Sequence, residues 1–137
     1  MTAEKLGPGT LKFGETGSAK EFQAQTSKTE FKPELKLDDP TGMLDGSDYQ
    51  APGEWSGTIS GTFFQSYGVD SLIAWCYEHA EEVLPFTFAP KGETGISFAG
   101  RCVIMPVAVG GEAKKTNTTD FEFKVIGRAE LKKPGDS

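Results

Sequence analysis

The residues able to do chemistry are few and scattered. The single histidine, His79, falls in a predicted helix beside Glu78 and Glu82, a setting where an imidazole is more often a surface group than a general base. No Ser-His-Asp or Cys-His set can be assembled around it. The two cysteines, Cys76 and Cys102, have no second Cys or His near them in the sequence, so buried free thiols are expected in place of a disulfide or a zinc site. Asp38, Asp39, Asp45 and Asp48 suggest calcium, but their spacing misses the EF-hand pattern and nothing supplies its closing Glu. Walker A and dinucleotide fingerprints are absent, and Asn117-Thr118-Thr119 matches a glycosylation acceptor by coincidence. The expectation is a chain that is not an enzyme and uses no cofactor and no metal.

The elements that would position these residues are mostly strands. A short strand is expected over 10–13, followed by the turn Gly14-Glu15-Thr16-Gly17. Alternation from Phe22 to Leu37 gives a half-buried strand pair or one long bent strand, in which Pro33 must sit at an edge, a bend or a bulge. Residues 38–53 combine turn formers with no periodicity, a length that is functional or disordered in most compact domains. Met43, Leu44 and Tyr49 in that loop have no core to enter, which suggests cover from another chain. The strand 54–64 is the clearest, with Trp55, Gly57, Ile59, Gly61 and Phe63 on one face and Ser56, Thr58, Ser60 and Thr62 on the other. A helix is expected over about 69–82, with Asp70 in its first turn and Glu81 and Glu82 in its last. Strands follow over 84–90, 96–109 and 118–131. The second Gly-Glu-Thr-Gly, at 92–95, is read as a reused turn. The polar side of the closing strands offers Arg101, Asp120, Glu122 and Lys124. The resulting class is α+β and mainly β, a β-sandwich or half-barrel of long antiparallel strands carrying one helix.

At 137 residues and 14.7 kDa one domain spanning 1–137 is expected, with arms at 1–9 and 132–137. Such a chain should expose about 6,900 Å² when folded. Gly and Pro together number 17 and 8, which excludes an all-helical bundle. No stretch reaches the roughly 20 apolar residues of a membrane span, and no apolar region follows Met1-Thr2-Ala3-Glu4-Lys5, so neither a span nor a signal peptide is expected. The net charge of -6 is unevenly spread: no Lys or Arg lies between Lys36 and Lys91. That middle holds nine acids, and the flanks carry the bases. Chains divided in this way attract copies of themselves head to tail, although a solvated acidic face accounts for the same pattern. The acidic balance argues against gripping DNA, which depends on clustered Lys and Arg.

The order of these elements resembles the major tail tube proteins of long non-contractile-tailed, siphovirus-type bacteriophages. The likeness covers roughly residues 10–131. It rests on the strand Glu54-Trp55-Ser56-Gly57-Thr58-Ile59-Ser60-Gly61-Thr62-Phe63-Phe64, the helix Val69-Asp70-Ser71-Leu72-Ile73-Ala74-Trp75-Cys76-Tyr77, the strand Leu84-Pro85-Phe86-Thr87-Phe88-Ala89-Pro90, and the long loop and closing strands around them. The resemblance implies six copies in a ring whose sheets join into one barrel around a lumen, with rings stacking into a tube that delivers the genome to the host. It implies inter-subunit or inter-ring contacts through Asp38, Asp39, Met43, Leu44, Asp45, Asp48 and Tyr49, and through both arms. Lumen-facing candidates are Ser56, Thr58, Ser60, Thr62, Arg101, Asp120, Glu122 and Lys124. Further implied partners are the tape measure, tail terminator and distal tail proteins. DNA passes without specific binding, no membrane is involved, and the protein resides in the virion tail after assembly in host cytoplasm.

In one respect the chain departs from the family. The family bore is commonly electronegative, whereas the polar candidates here sum to near neutrality. Either the acids lie at ring-to-ring contacts or the facing is shifted by one residue, which would exchange the two sets. Two other readings remain open from the sequence: a small-ligand-binding β-barrel or sandwich, and a type VI secretion ring protein of the same fold.

Overall fold

The computed structural model describes residues 4–15 and 19–133. Met1 to Ala3 of the first arm, Thr16 and Gly17 of the first turn, and Pro134 to Ser137 of the second arm lie outside the described residues. Seven strands form one antiparallel sheet: β1 (Thr10–Phe13), β2 (Lys20–Glu21), β3 (Thr26–Lys36), β6 (Glu54–Phe64), β7 (Val83–Ala89), β8 (Ser97–Val103) and β9 (Thr118–Lys132). Their order across the sheet is β2-β1-β7-β8-β9-β6-β3. β4 (Thr41–Gly42) and β5 (Asp48–Tyr49) make a separate two-stranded hairpin. The fold is mainly β with one α-helix, α1 (Leu72–Glu78), and a 3-10 turn at Gly92–Thr94.

The period-two alternation places the aromatic residues inside. Phe13, Phe22, Phe63, Phe86, Phe121 and Phe123 are fully buried. Phe13 lies edge-on to Phe22 at 4.8 Å and to Phe123 at 5.0 Å between ring centroids, the edge-to-face geometry that ring quadrupoles favour. The sheet curls on itself, so that Phe31 of β3 meets Phe86 of β7 at 5.8 Å and Phe98 of β8 at 5.0 Å. The helix closes the core with Leu72 and Cys76. Gly61 lets β6 sit close under Phe121, whose Cε1 would stand 3.0 Å from a Cβ there.

The helix is shorter than its apolar spacing suggests. Ser71 is the N-cap, its Oγ accepting from the Ala74 amide at 3.3 Å, which leaves Val69 and Asp70 outside. At the other end Glu81 has a left-handed φ of 74°. Its amide donates to the Ile104 carbonyl at 2.8 Å, and the Ile104 amide to the Glu82 carbonyl at 2.9 Å, so the chain is drawn into the sheet. Asp70, Glu81 and Glu82 therefore lie outside the turns in which the helix dipole acts.

One further expectation is corrected and an alternative is decided. The strand expected over 96–109 is only Ser97–Val103, because Pro106 has no amide to donate and Gly110 and Gly111 take positive φ. Of the two readings of 22–37, a strand pair or one long strand, the structure has the second: β3 covers Thr26–Lys36 and is preceded by a turn in which the Gln25 amide donates to the Phe22 carbonyl at 3.2 Å. Pro33 pairs with Gly57 on the edge strand β3, where its missing donor leaves the β6 ladder intact.

Candidate functional site

The polar side of the strands is continuous. Gly57, Ile59, Gly61 and Phe63 of β6 face the core, and Ser56, Thr58, Ser60 and Thr62 face away, half-buried. The one-residue shift weighed from the sequence is thereby excluded. Register places Thr62 opposite Asp120, Ser60 opposite Glu122 and Thr58 opposite Lys124. The Thr62 hydroxyl donates to Asp120 Oδ1 at 2.6 Å. Arg101 of β8 joins the same side, opposite Ile126. All eight candidates thus share one face.

The sequence did not reveal that β3 flanks β6. Lys28, Glu30, Lys32 and Glu34 oppose Thr62, Ser60, Thr58 and Ser56, so the face gains four charges of alternating sign and stays near neutral. Beside it lie two solvent-open grooves of about 540 and 520 Å³, both lined by Glu122 and Met105, the first also by Pro106, Val107 and Ala108.

The second feature is the excursion between β3 and β6. The sequence reading of 38–53 as structureless is corrected, because β4 and β5 pair Thr41 with Tyr49 and Gly42 with Asp48. The turn between them is tightly tied. The Met43 amide donates to the Ser47 carbonyl at 2.7 Å and the Gly46 amide to the Met43 carbonyl at 3.0 Å. Asp45 Oδ1 accepts from the Ser47 amide at 2.9 Å and from its hydroxyl at 2.5 Å, which holds the Asp45 carboxyl below the usual carboxylate range. At the base, Gln50 Nε2 donates to the Asp38 carbonyl at 2.8 Å. Every residue from Asp38 to Gln50 is exposed, with Leu44 entirely so. Asp38, Asp39, Met43, Leu44, Asp45, Asp48 and Tyr49 thus form an ordered acidic arm with an apolar tip.

The titratable residues considered first form no reactive set. His79 Nδ1 lies 3.0 Å from Glu82 Oε2, and the ring packs at a tilt against Trp75 with centroids 4.8 Å apart. Cys76 and Cys102 are buried and free, and burial pushes each thiol up to about 12. At that value almost no thiolate exists at neutral pH.

The fold is shared with chains of gene transfer agent particles. One is from the tail of an empty particle computed with helical refinement in C6 symmetry. It has a TM-score of 0.63 and 18% identity, covering 90% of this chain and 94% of that one. Another is from the virion of a native gene transfer agent particle, with a TM-score of 0.60 and 15% identity over 89% and 95% of the two chains. No protein-family model matches the sequence, and no curated protein matches it. At these identities the likeness is one of fold.

Proposed function

We propose that the chain is a structural subunit of a bacteriophage tail, and specifically of its tube, assembling as stacked rings of six around a lumen that conducts the genome. The observation that carries this reading is unfinished surface. Every residue from Asp38 to Gln50 is exposed, Met43, Leu44 and Tyr49 among them, apolar groups of the kind that an interface covers. A second part of that surface is β3, an eleven-residue strand with no neighbour on its outer edge among the described residues, a state that association or closure relieves. The sixfold tail in which one structural neighbour sits supports the ring number.

In this reading Ser56, Thr58, Ser60, Thr62, Arg101, Asp120, Glu122 and Lys124 line the lumen. Their near-neutral balance offers phosphate neither a grip nor a barrier. The acidic arm 38–53 and the arms 1–9 and 132–137 contact neighbouring copies, and other tail proteins cap the tube. A ligand-binding barrel requires an enclosed apolar space, whereas six phenylalanines fill this interior. The test is negative-stain microscopy with mass photometry of the purified chain over a range of concentration and salt. Rings and tubes are expected, and monomers under every condition overturn the proposal.

A further inference from the structure

The arm and a second exposed surface lie at opposite ends of β6. β6 leaves the arm at Glu54 and ends at Phe64, and eleven residues at about 3.3 Å span roughly 36 Å. At the far end Phe64, Tyr67 and Val109 are 45%, 65% and 62% exposed. Phe64 and Tyr67 flank Gln65 in the sequence, and Gln65 brings Val109 to them from more than forty residues away through the bonds it makes to Gly110. Its Nε2 donates to the carbonyls of Gly110 at 2.9 Å and Thr118 at 3.0 Å. Its Oε1 accepts from the Gly110 amide at 2.9 Å and the Tyr67 hydroxyl at 2.8 Å. Its own amide donates to the Asn117 carbonyl at 2.9 Å.

The same clamp carries the charge. Asn117 Oδ1 accepts from the Glu112 amide at 3.2 Å, and its Nδ2 donates to the Glu112 carbonyl at 3.0 Å, folding 112–117 into a fixed turn. Gly111, with φ 153°, lies against that side chain where a Cβ would not fit. The turn presents Lys114 and Lys115. Lys115 pairs with Glu112 at 2.6 Å, and Lys114 has no ion-pair partner among the described residues.

One end of the strand therefore bears an apolar tip on an acidic stalk, and the other an apolar platform beside an unneutralised lysine. Both are ordered by internal hydrogen bonds before any partner arrives, which lowers the entropic cost of docking. Opposite charge at opposite ends favours a heterologous, repeating contact over a two-fold one. We infer that the platform of Phe64, Tyr67, Val109 and Lys114 receives the Met43–Leu44 tip of a second copy. This rests on the tube reading and goes further by naming the receiving surface.

The test uses cysteine pairs, since the native thiols are buried. Leu44→Cys and Val109→Cys chains are prepared separately, mixed, allowed to assemble and treated with a short bis-maleimide. Covalent dimers are expected in the mixture, and a ladder in the double variant. Tubes by microscopy with no Leu44–Val109 cross-link overturn the receiving surface while the tube reading stands. Cross-linked chains that never form tubes support the contact and overturn the tube. Val109→Cys chains linking to one another overturn the inference in favour of a two-fold contact. Independently, Lys114→Glu should raise the concentration needed for stacking roughly tenfold, and Asp48→Lys on the partner should restore it. Unchanged stacking in Lys114→Glu counts against the platform.

Discussion

Replacing Gly61 by alanine probes the packing that keeps β3 attached to the sheet. Gly61 opposes Thr29 of β3 and Phe121 of β9. A Cβ there would enter the van der Waals shell of the Lys28 carbonyl oxygen and approach Phe121 Cε1 to 3.0 Å. Neither neighbour can yield easily. The carbonyl belongs to the β3–β6 ladder, and the Phe121 ring is held by Phe22 at 5.7 Å, Phe63 at 5.9 Å and Phe123 at 5.2 Å. Overpacking of this kind costs about 1–3 kcal/mol. The entropy gained by replacing glycine offsets about 0.5–1 kcal/mol, leaving a net loss on the order of 1–2 kcal/mol. For a chain of this size the melting temperature should fall by roughly 3–10 °C. Gly68→Ala is the control, because its Cβ would meet nothing within 4 Å, and its stability should stay within about 0.5 kcal/mol of the parent. Circular dichroism melts of the two variants decide the matter. Equal melting temperatures would refute the close approach of β3 and β6.

Deleting Thr41 to Tyr49 removes only exposed residues and should leave the melting temperature unchanged while abolishing tubes; tubes of ordinary length would exclude the arm from stacking. Because Ser47 lowers the Asp45 pKa, the order it lends the turn is complete above the unfolded pKa and lost as pH falls through the lower, folded one. The Ser47 amide shift should therefore titrate with a midpoint below an ordinary aspartate, and an ordinary midpoint would disprove the capping bond. Both thiols, raised by burial to about 12, should be inert to a disulfide reagent at pH 8 and react together in denaturant; rapid native reaction would contradict the packing of Cys76 and Cys102.

What was legible in the sequence was whatever has a local period. The alternation in 54–64 located β6 to the residue, because small Gly57 and Gly61 share the inner face with Ile59 and Phe63. That alternation also identified the polar side that the lumen proposal uses. What depends on a single capping bond or a distant carbonyl was not legible. Ser71 ends the helix early at one side, and Ile104 unwinds it at the other, from 22 positions away. Leu35, Trp55 and Leu131 do point to the core side as their spacing suggests, yet stay 47%, 36% and 47% exposed, because the strands outrun the helix that covers the core. The platform left no trace, since its organiser is one glutamine whose partners lie at 67, 110, 117 and 118.

The β3 edge raises a physical question, because an open strand invites every other strand. Its outward side runs Lys28, Glu30, Lys32, Glu34, Lys36. A strand added there in register can match each charge with its opposite. A slip of two residues turns every attraction into a repulsion, and a slip of one moves the side chains to the wrong face. Pro33 withdraws one donor from the strand, which weakens casual pairing further. Like charges within the chain, Glu30 with Glu122 and Lys32 with Lys124, are separated by Ser60 and Thr58 of β6. Two strand spacings hold them about 9.6 Å apart, beyond the Debye length of about 8 Å at physiological salt, so the pattern costs the monomer little. Its cost falls on mismatched partners, so any strand that docks on this edge is accepted in a single alignment.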